Sequence, residues 1–326
     1  MKKNKINVRT DIASESINLN KLKSKSEFYT KDKINIIKTI VDEKTSIKIA
    51  KKEGIYFELD IRNCDILDTD DISLIESALC EVIKDVLEYE RIDINKSKCL
   101  IVGLGNSNVT PDSLGPMVID NVIVTRHMFM IDPSSVSNGI NNVCALSPGV
   151  MGTTGIETKD IIEAILRQIE IDYLIVVDAL ASSNINKVNK CIQVSNSGIN
   201  PGSGVGNRRK ELSKDSLAIP VIAIGIPTVV DAITISINTI DTILDYLIRK
   251  SEIKDAEKEK YKKEYFGKFA LLNKKEKESL VYEVLKEDGL NMFVTPKGVD
   301  IDLKNLSDIV SSAIDRAIHP IISEGE

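Results

Sequence analysis

Two short apolar runs in this chain each deliver an aspartate into a loop suited to close approach. Together they constrain the fold more than any other feature. The first is CLIVGLGNSNVTPDSLGP, Cys99 to Pro116, which carries Asp112. The second is DYLIVVDALASS, Asp172 to Ser183, which carries Asp178. Both are short, rich in Leu, Ile and Val, and bounded by turn residues, the pattern of a strand buried on both faces. Between them Thr158 opens a helical pattern with Ile161, Ile162, Ile165, Leu166 and Ile169 on one face. Strand, helix, strand is the signature of a parallel sheet with helical cover. Ligands of such sheets sit in the crevice beyond the carboxyl ends of the strands. Two neighbouring strands of this kind bring Asp112 and Asp178 face to face.

The rest of the chain fits that frame. Residues 45 to 61, TSIKIAKKEGIYFELDI, alternate on both sides of Lys-Lys-Glu-Gly and predict a β-hairpin. Ile72, Ile75, Leu79, Val82, Ile83 and Val86 predict a helix over 70 to 87, capped by Thr69 or Asp70. Further strands are expected at Cys191 to Ser195 and Ala218 to Gly225, with a short last one at Phe293 to Pro296. A long helix is expected over Thr228 to Ile248 and a closing one over Leu303 to Ile318. The stretch 250 to 288, crowded with Lys and Glu, predicts solvated helices with i,i+4 pairs. No internal repeat or low-complexity linker appears. The expectation is α/β: one domain with a central, largely parallel sheet flanked by helices, plus a β-hairpin and helical decorations.

Composition excludes several classes. A hydrophobic content of 42% is too high for a disordered chain, and a net charge of −6 leaves no global basic footprint for nucleic acid. The five cysteines are scattered without C-x-x-C spacing, so neither a disulfide framework nor a zinc site is expected. That usage fits a reducing cytosol. The apolar stretch from Ile219 to Ile237 holds Pro220, Gly225, Pro227 and Asp231, which suit a strand, a turn and a helix start better than a membrane span. The two histidines, His127 and His319, stand near no nucleophile motif, and no G-x-S-x-G occurs.

The loop motifs narrow the chemistry. Gly103-Leu104-Gly105 follows a strand, but a dinucleotide fingerprint needs a third glycine where Asn108 stands. Asp112 and Asp178, taken singly, suit helix caps. Taken together at two strand ends they suit a shared cleft. Asp231 is read as a first-turn residue. At about 4 Å two carboxylates repel by roughly 4 kcal/mol at an effective dielectric of 20, so such a pair retains one proton. Its ionised member can then take a proton from water and its protonated member can donate one, without any cofactor or metal. The glycine-rich loop after Gly198 ends in Arg208, Arg209 and Lys210, which suit either a pocket for an acidic side chain or a solvated surface loop. Arg9 to Glu15 reads on composition as the capped start of a short helix, with Asp11 as the cap.

The segments GLGNSNVTPDSLGP, VVDALA, GINPGSGVGNRRKELS, GIPTVVDA and VTPKGVD resemble, in order and over nearly the whole chain, the germination proteases of spore-forming bacteria. That resemblance implies an aspartic-type endopeptidase that degrades small acid-soluble spore proteins at germination. It implies a fold like that of hydrogenase-maturation endopeptidases, assembly as a homotetramer, and residence in the cytoplasm of the forespore and spore core. No direct nucleic-acid or membrane partner is implied. By motif, Asp112 and Asp178 match the catalytic pair, and Thr-Asp-Ile-Ala-Ser-Glu matches a self-processing site cut between Asp11 and Ile12. The family is made as a zymogen, so residues 1–11 are expected to be a pro-segment and 12–326 a single catalytic domain. The arm before Asp11 is short, and its Lys2, Lys3, Lys5 and Arg9 are expected to favour the ionised forms of the two carboxylates. Two other classes remain open: a metal-assisted maturation-type peptidase on the same fold, for which Glu157 is an available ligand, and a non-catalytic nucleotide- or peptide-binding module.

Overall fold

A computed structural model of the chain describes residues 10–20, 25–49, 51–202, 209–250, 263–264, 267, 271–287 and 292–323. The basic arm and Arg208 lie outside the described residues. The strands are β1 (Lys25–Lys31), β2 (Ile34–Val41), β3 (Gly54–Asp60), β4 (Cys99–Gly103), β5 (Val143–Leu146), β6 (Tyr173–Ser182), β7 (Cys191–Ser195), β8 (Val221–Asp231) and β9 (Phe293–Val294). They form one sheet in the order β1-β2-β3-β7-β8-β6-β4-β5, with β9 paired to β8. From β8 through β6 and β4 to β5 the pairing is parallel, and from β1 to β7 it is antiparallel. The parallel half is the half that carries the two aspartates.

Alternation along each strand separates two faces. Phe57 and Leu59 of β3, Ile192 and Val194 of β7, Ile222 and Ile224 of β8, and Ile175 and Val177 of β6 enter one large core. That core is closed by the helices α3 (Thr69–Tyr89) and α4 (Leu114–Asn121) and by the helix Val299–Ile318. On the opposite face, the helix Thr158–Gln168 covers β4 and β6 through Ile162. Beside it, over β3, that face is covered by α1 (Ala13–Leu19), whose Ala13 and Ile17 pack on Tyr56, Val41 and Ile49. No helix among the described residues is long and apolar enough to cross a membrane.

Several sequence expectations shift. The hairpin expected over 45 to 61 is half helix: Glu43–Ile49 forms α2 because Asp42 accepts from Thr45 N at 2.9 Å and starts a helical turn. The hairpin lies earlier, between β1 and β2, and β3 pairs with β2. The cap of α3 is Asp68, not Thr69 or Asp70; it accepts from Asp70 N and Asp71 N. The strand before the long helix runs on to Asp231, so that helix begins at Ala232 rather than Thr228. Asp231 therefore ends a strand, and its carboxylate accepts from Ile233 N at 2.9 Å. Of the stretch 250 to 288, residues 251–262, 265–266, 268–270 and 288 lie outside the described residues, and Lys274–Glu287 form a helix.

Candidate active site

Asp112 sits in a single 3-10 turn, Thr110–Asp112, between β4 and α4. The loop is closed by Asp112 O, which accepts from Asn106 N at 2.9 Å. Gly105 has φ +117°, and a Cβ there would fall 2.0 Å from Asp112 O, so this turn requires glycine. A second tether comes from β8. Its pairing with β6 slips between Leu180 and Ala181, which leaves Thr228 as an extra residue. The bulge aims Thr228 Oγ1 at Pro111 O, 2.6 Å away. Asp178 is not at a strand end, as its run suggested: β6 continues through it to Ser182. Its carboxylate accepts from Ala179 N at 2.9 Å.

β4 and β6 are parallel neighbours, so the two aspartates do share one region of the sheet. Asp178 is only 5% exposed. Burial first, then the charges of Asp112 and Asp11, hold its carboxyl well above the usual carboxylate range. Burial also raises Asp112, against the backbone hydrogen bond at Asn106. Burial thus raises both carboxyls, and the charge of Asp112 adds to the rise at Asp178.

The third charge near Asp178 belongs to the chain's own amino-terminal segment. Asp11 N donates to Ala181 O at 2.9 Å, and Ala181 N donates to Asp11 Oδ2 at 3.0 Å. Ile12 is fully buried against Leu180 and Cys191. Glu15, 6% exposed, accepts from Ser182 Oγ at 2.6 Å, Ser183 N at 2.7 Å, Ser183 Oγ at 2.8 Å and Thr10 Oγ1 at 2.5 Å. Asp11 does not cap a helix with its side chain; the helix begins after Ile12 without a side-chain cap. The segment lines a groove of about 1460 Å³ together with Lys51, Tyr56, Leu180, Gln193 and Gly225.

Sheet register explains why the segment lies there. Glu58 of β3 is opposite Gln193 of β7, Gln193 is opposite Gly225 of β8, and Gly225 is opposite Asp178 of β6. Paired residues project to the same face. The row is therefore carboxylate, amide, gap, carboxylate. A Cβ at Gly225 would lie 2.5 Å from Leu180 Cδ1, so the glycine leaves room for the leucine on which Ile12 rests. Ser14 donates to Glu58, which also accepts from Lys187 Nζ at 2.5 Å. Gln193 Oε1 accepts from Ala13 N at 2.8 Å, and Lys51 Nζ is 3.9 Å from Asp11 Oδ1. Lys51, Gln193 and Glu58 were not singled out from the sequence. No local motif marks them: Gln193 and Glu58 matter through strand register, and Lys51 through the loop before β3 that carries its ammonium to Asp11.

Of the basic cluster, Arg209 and Lys210 are among the described residues, and both pair with carboxylates other than the two aspartates. Arg209 Nη1 is 4.0 Å from Glu157 Oε2, and Lys210 Nζ is 2.6 Å from Asp160 Oδ1, at the start of the helix Thr158–Gln168. A cation beside Asp11 is Lys51. Glu157 is thus engaged with Arg209 and with Lys210 N rather than with the aspartates. His319 is fully buried and accepts from Asn141 N at 3.1 Å. Among the described residues, no three His, Cys, Asp or Glu side chains cluster as a metal site.

Against known families, a model described as germination protease matches residues 2–260 and 249–326. The chain belongs to the germination protease family. The germination protease of Bacillus mycoides is 40% identical over 354 aligned positions, covering 98% of this chain and 96% of that protein. That of Bacillus anthracis is 42% identical over 316 positions, covering 89% and 85%. A solved hydrogenase maturation protease, HycI from Thermococcus kodakarensis, covers 45% of this chain and 80% of its own at 16% identity, with a TM-score of 0.27. A score that low carries no weight for function. As a member of the germination protease family, the chain is a protease.

Proposed function

We propose that this protease is a self-processing endopeptidase in which Asp112 and Asp178 activate water. On this reading it cuts its own chain between Asp11 and Ile12, so that residues 1–11 are a pro-segment. Afterwards it cuts small acid-soluble spore proteins after acidic residues during germination. The observation that carries the reading is the seating of Thr10 to Glu15. That segment is held against Ala181, Ser182 and Ser183 by backbone and side-chain bonds, with the Asp11 charge acting on Asp178. The buried Asp178 suits the proton holder, and the less buried Asp112 suits the base that takes a proton from water. Lys51 and the Ala181 N–H, both on the Asp11 side chain, suit recognition of an acidic residue before the cut. Assembly as a homotetramer in the forespore and spore core belongs to the same proposal.

Mass measurement of the purified full chain before and after mild acid incubation tests it. A new amino terminus at Ile12 is expected. A chain that stays intact under every condition in which it digests spore proteins overturns the self-processing half.

A further inference from the structure

The oxygen that takes up charge when a peptide bond is attacked is the carbonyl oxygen of the residue before the cut. Here that atom is Asp11 O, and two side chains donate to it: Lys51 Nζ at 3.0 Å and Gln193 Nε2 at 3.3 Å. The orientation of the Gln193 amide is fixed by its other contact. Ala13 N is a donor, so the amide oxygen must face it, and the NH2 is thereby turned to Asp11 O. One side chain thus spans the Asp11–Ile12 bond, holding the carbonyl before it and the amide two residues on. Gln193 is itself rigidly seated within the row Glu58–Gln193–Gly225–Asp178. The loop carrying Lys51 is pinned on its far side: Tyr56 OH donates to Lys52 O at 2.8 Å, and Lys52 Nζ meets Glu211 at 2.5 Å and Asp215 at 2.6 Å.

We propose that Lys51 and Gln193 are catalytic residues that stabilise the oxyanion formed at the carbonyl before the scissile bond. This rests on the proposed cut between Asp11 and Ile12 and adds the groups that receive its negative charge. Water adds its oxygen to the Asp11 carbonyl carbon and yields a proton to ionised Asp112. The carbonyl π pair moves onto oxygen, where the ammonium and the amide N–H hold it. Collapse of this intermediate breaks the C–N bond, and the Ile12 nitrogen takes the proton held by Asp178. The products are a carboxylic acid ending at Asp11 and an amine beginning at Ile12, with the pair's proton moved from Asp178 to Asp112. Because the oxygen has its own donors, the protonated aspartate is spared for the leaving nitrogen. The groove is desolvated enough at Lys51 that burial lowers its pKa against the charges of Asp11 and Glu15, and an ammonium in such surroundings acts strongly on a forming oxyanion.

The test uses the full chain and a single-turnover rate of processing followed by intact mass. Lys51→Ala and Gln193→Ala are each expected to slow the cut by about 100- to 1000-fold, the range for losing one oxyanion donor. Lys51→Arg, which restores a charged donor, is expected to recover most of that loss. Recognition of the acidic side chain is separated by repeating Lys51→Ala in an Asp11→Asn background, where the rate should fall again by about the same factor. Docking is separated by amide exchange at Ser183, which is held by Glu15 and should change by less than about threefold. The proposal is overturned if both alanine variants process within about fivefold of wild type. It is also overturned if the Lys51 effect vanishes in the Asp11→Asn background, or if lost rate is matched by lost Ser183 protection. A wild-type chain that never cuts at Asp11–Ile12, or an Asp178→Asn chain that cuts as fast, removes the underlying reading and this proposal with it.

Discussion

Replacing Glu15 by Ala should release the amino-terminal segment from its groove, and the size of the effect can be worked from the contacts. Three of the four donors to this carboxylate, Ser182 Oγ, Ser183 N and Ser183 Oγ, belong to the groove, while Thr10 Oγ1 travels with the segment. A hydrogen bond to a charged group contributes about 1.5–3 kcal/mol net, but contributions to one carboxylate are not additive. The shortened side chain also lets water reach the serines. A net loss of about 2–4 kcal/mol follows, or roughly 30- to 1000-fold in the docking equilibrium. The assay is hydrogen exchange at Ala13 N, which Gln193 Oε1 accepts in the docked state, measured in an Asp178→Asn background so that no cutting intervenes. Exchange there should accelerate by that factor, with Glu15→Gln intermediate. Acceleration of less than about threefold would show that the carboxylate does not hold the segment down.

Other outcomes follow from the same contacts. Ile12→Ala removes a fully buried side chain from the Leu180–Cys191 cluster and should weaken docking by about 2–5 kcal/mol, read by the same exchange measurement. Gly225→Ala pushes a methyl to within 2.5 Å of Leu180 Cδ1, so it should cost about 1–3 kcal/mol in chemical denaturation and slow processing. Activity should follow a bell-shaped pH profile. Its acid limb, set by protonation of Asp112, and its alkaline limb, set by ionisation of Asp178, should both lie above the ordinary carboxylate range, because burial raises both groups. Asp315, pushed up to about 7 by burial, is stabilising when protonated, so its contribution is full below the unfolded carboxylate range and is lost as pH rises towards about 7. The stability of Asp315→Asn relative to wild type should therefore rise by at most about 4 kcal/mol between about pH 4 and about pH 8, as denaturation at the two pH values would reveal.

Strands β4, β6 and β8 were legible because they are buried along nearly their whole length and so are apolar almost without interruption, whereas the short, half-buried β5 was not. The neighbouring placement of Asp112 and Asp178 rests on the parallel pairing of β4 with β6, although α4, β5 and the helix Thr158–Gln168 all come between them in sequence. The end of β6 was not legible, because Ala179-Leu180-Ala181 suits a strand or a helix start equally. What extends the strand is distant in sequence: β8 continues pairing as far as Val230, and Asp11 bonds both backbone groups of Ala181. Alternation at Ser46 to Ile49 misled because four residues are too few to separate period 2 from a single helical turn, and Asp42 decided the outcome. Lys51 and Gln193 were invisible for a stronger reason. Gln193 meets Ala13 across 180 residues, and only the register of β7 on β8 puts its side chain in line with Asp178. The partners of Arg209 and Lys210 were likewise set by tertiary packing rather than by the glycine loop that precedes them.

The central claim is that one carboxylate pair performs the cut and that the chain's own Asp11–Ile12 bond is its substrate. Intact-mass analysis of the purified Asp112→Asn and Asp178→Asn chains, alongside wild type under identical acid incubation, tests it most directly. The account predicts that both variants remain folded and uncut while wild type gains an amino terminus at Ile12. Near-wild-type processing by either variant would contradict it.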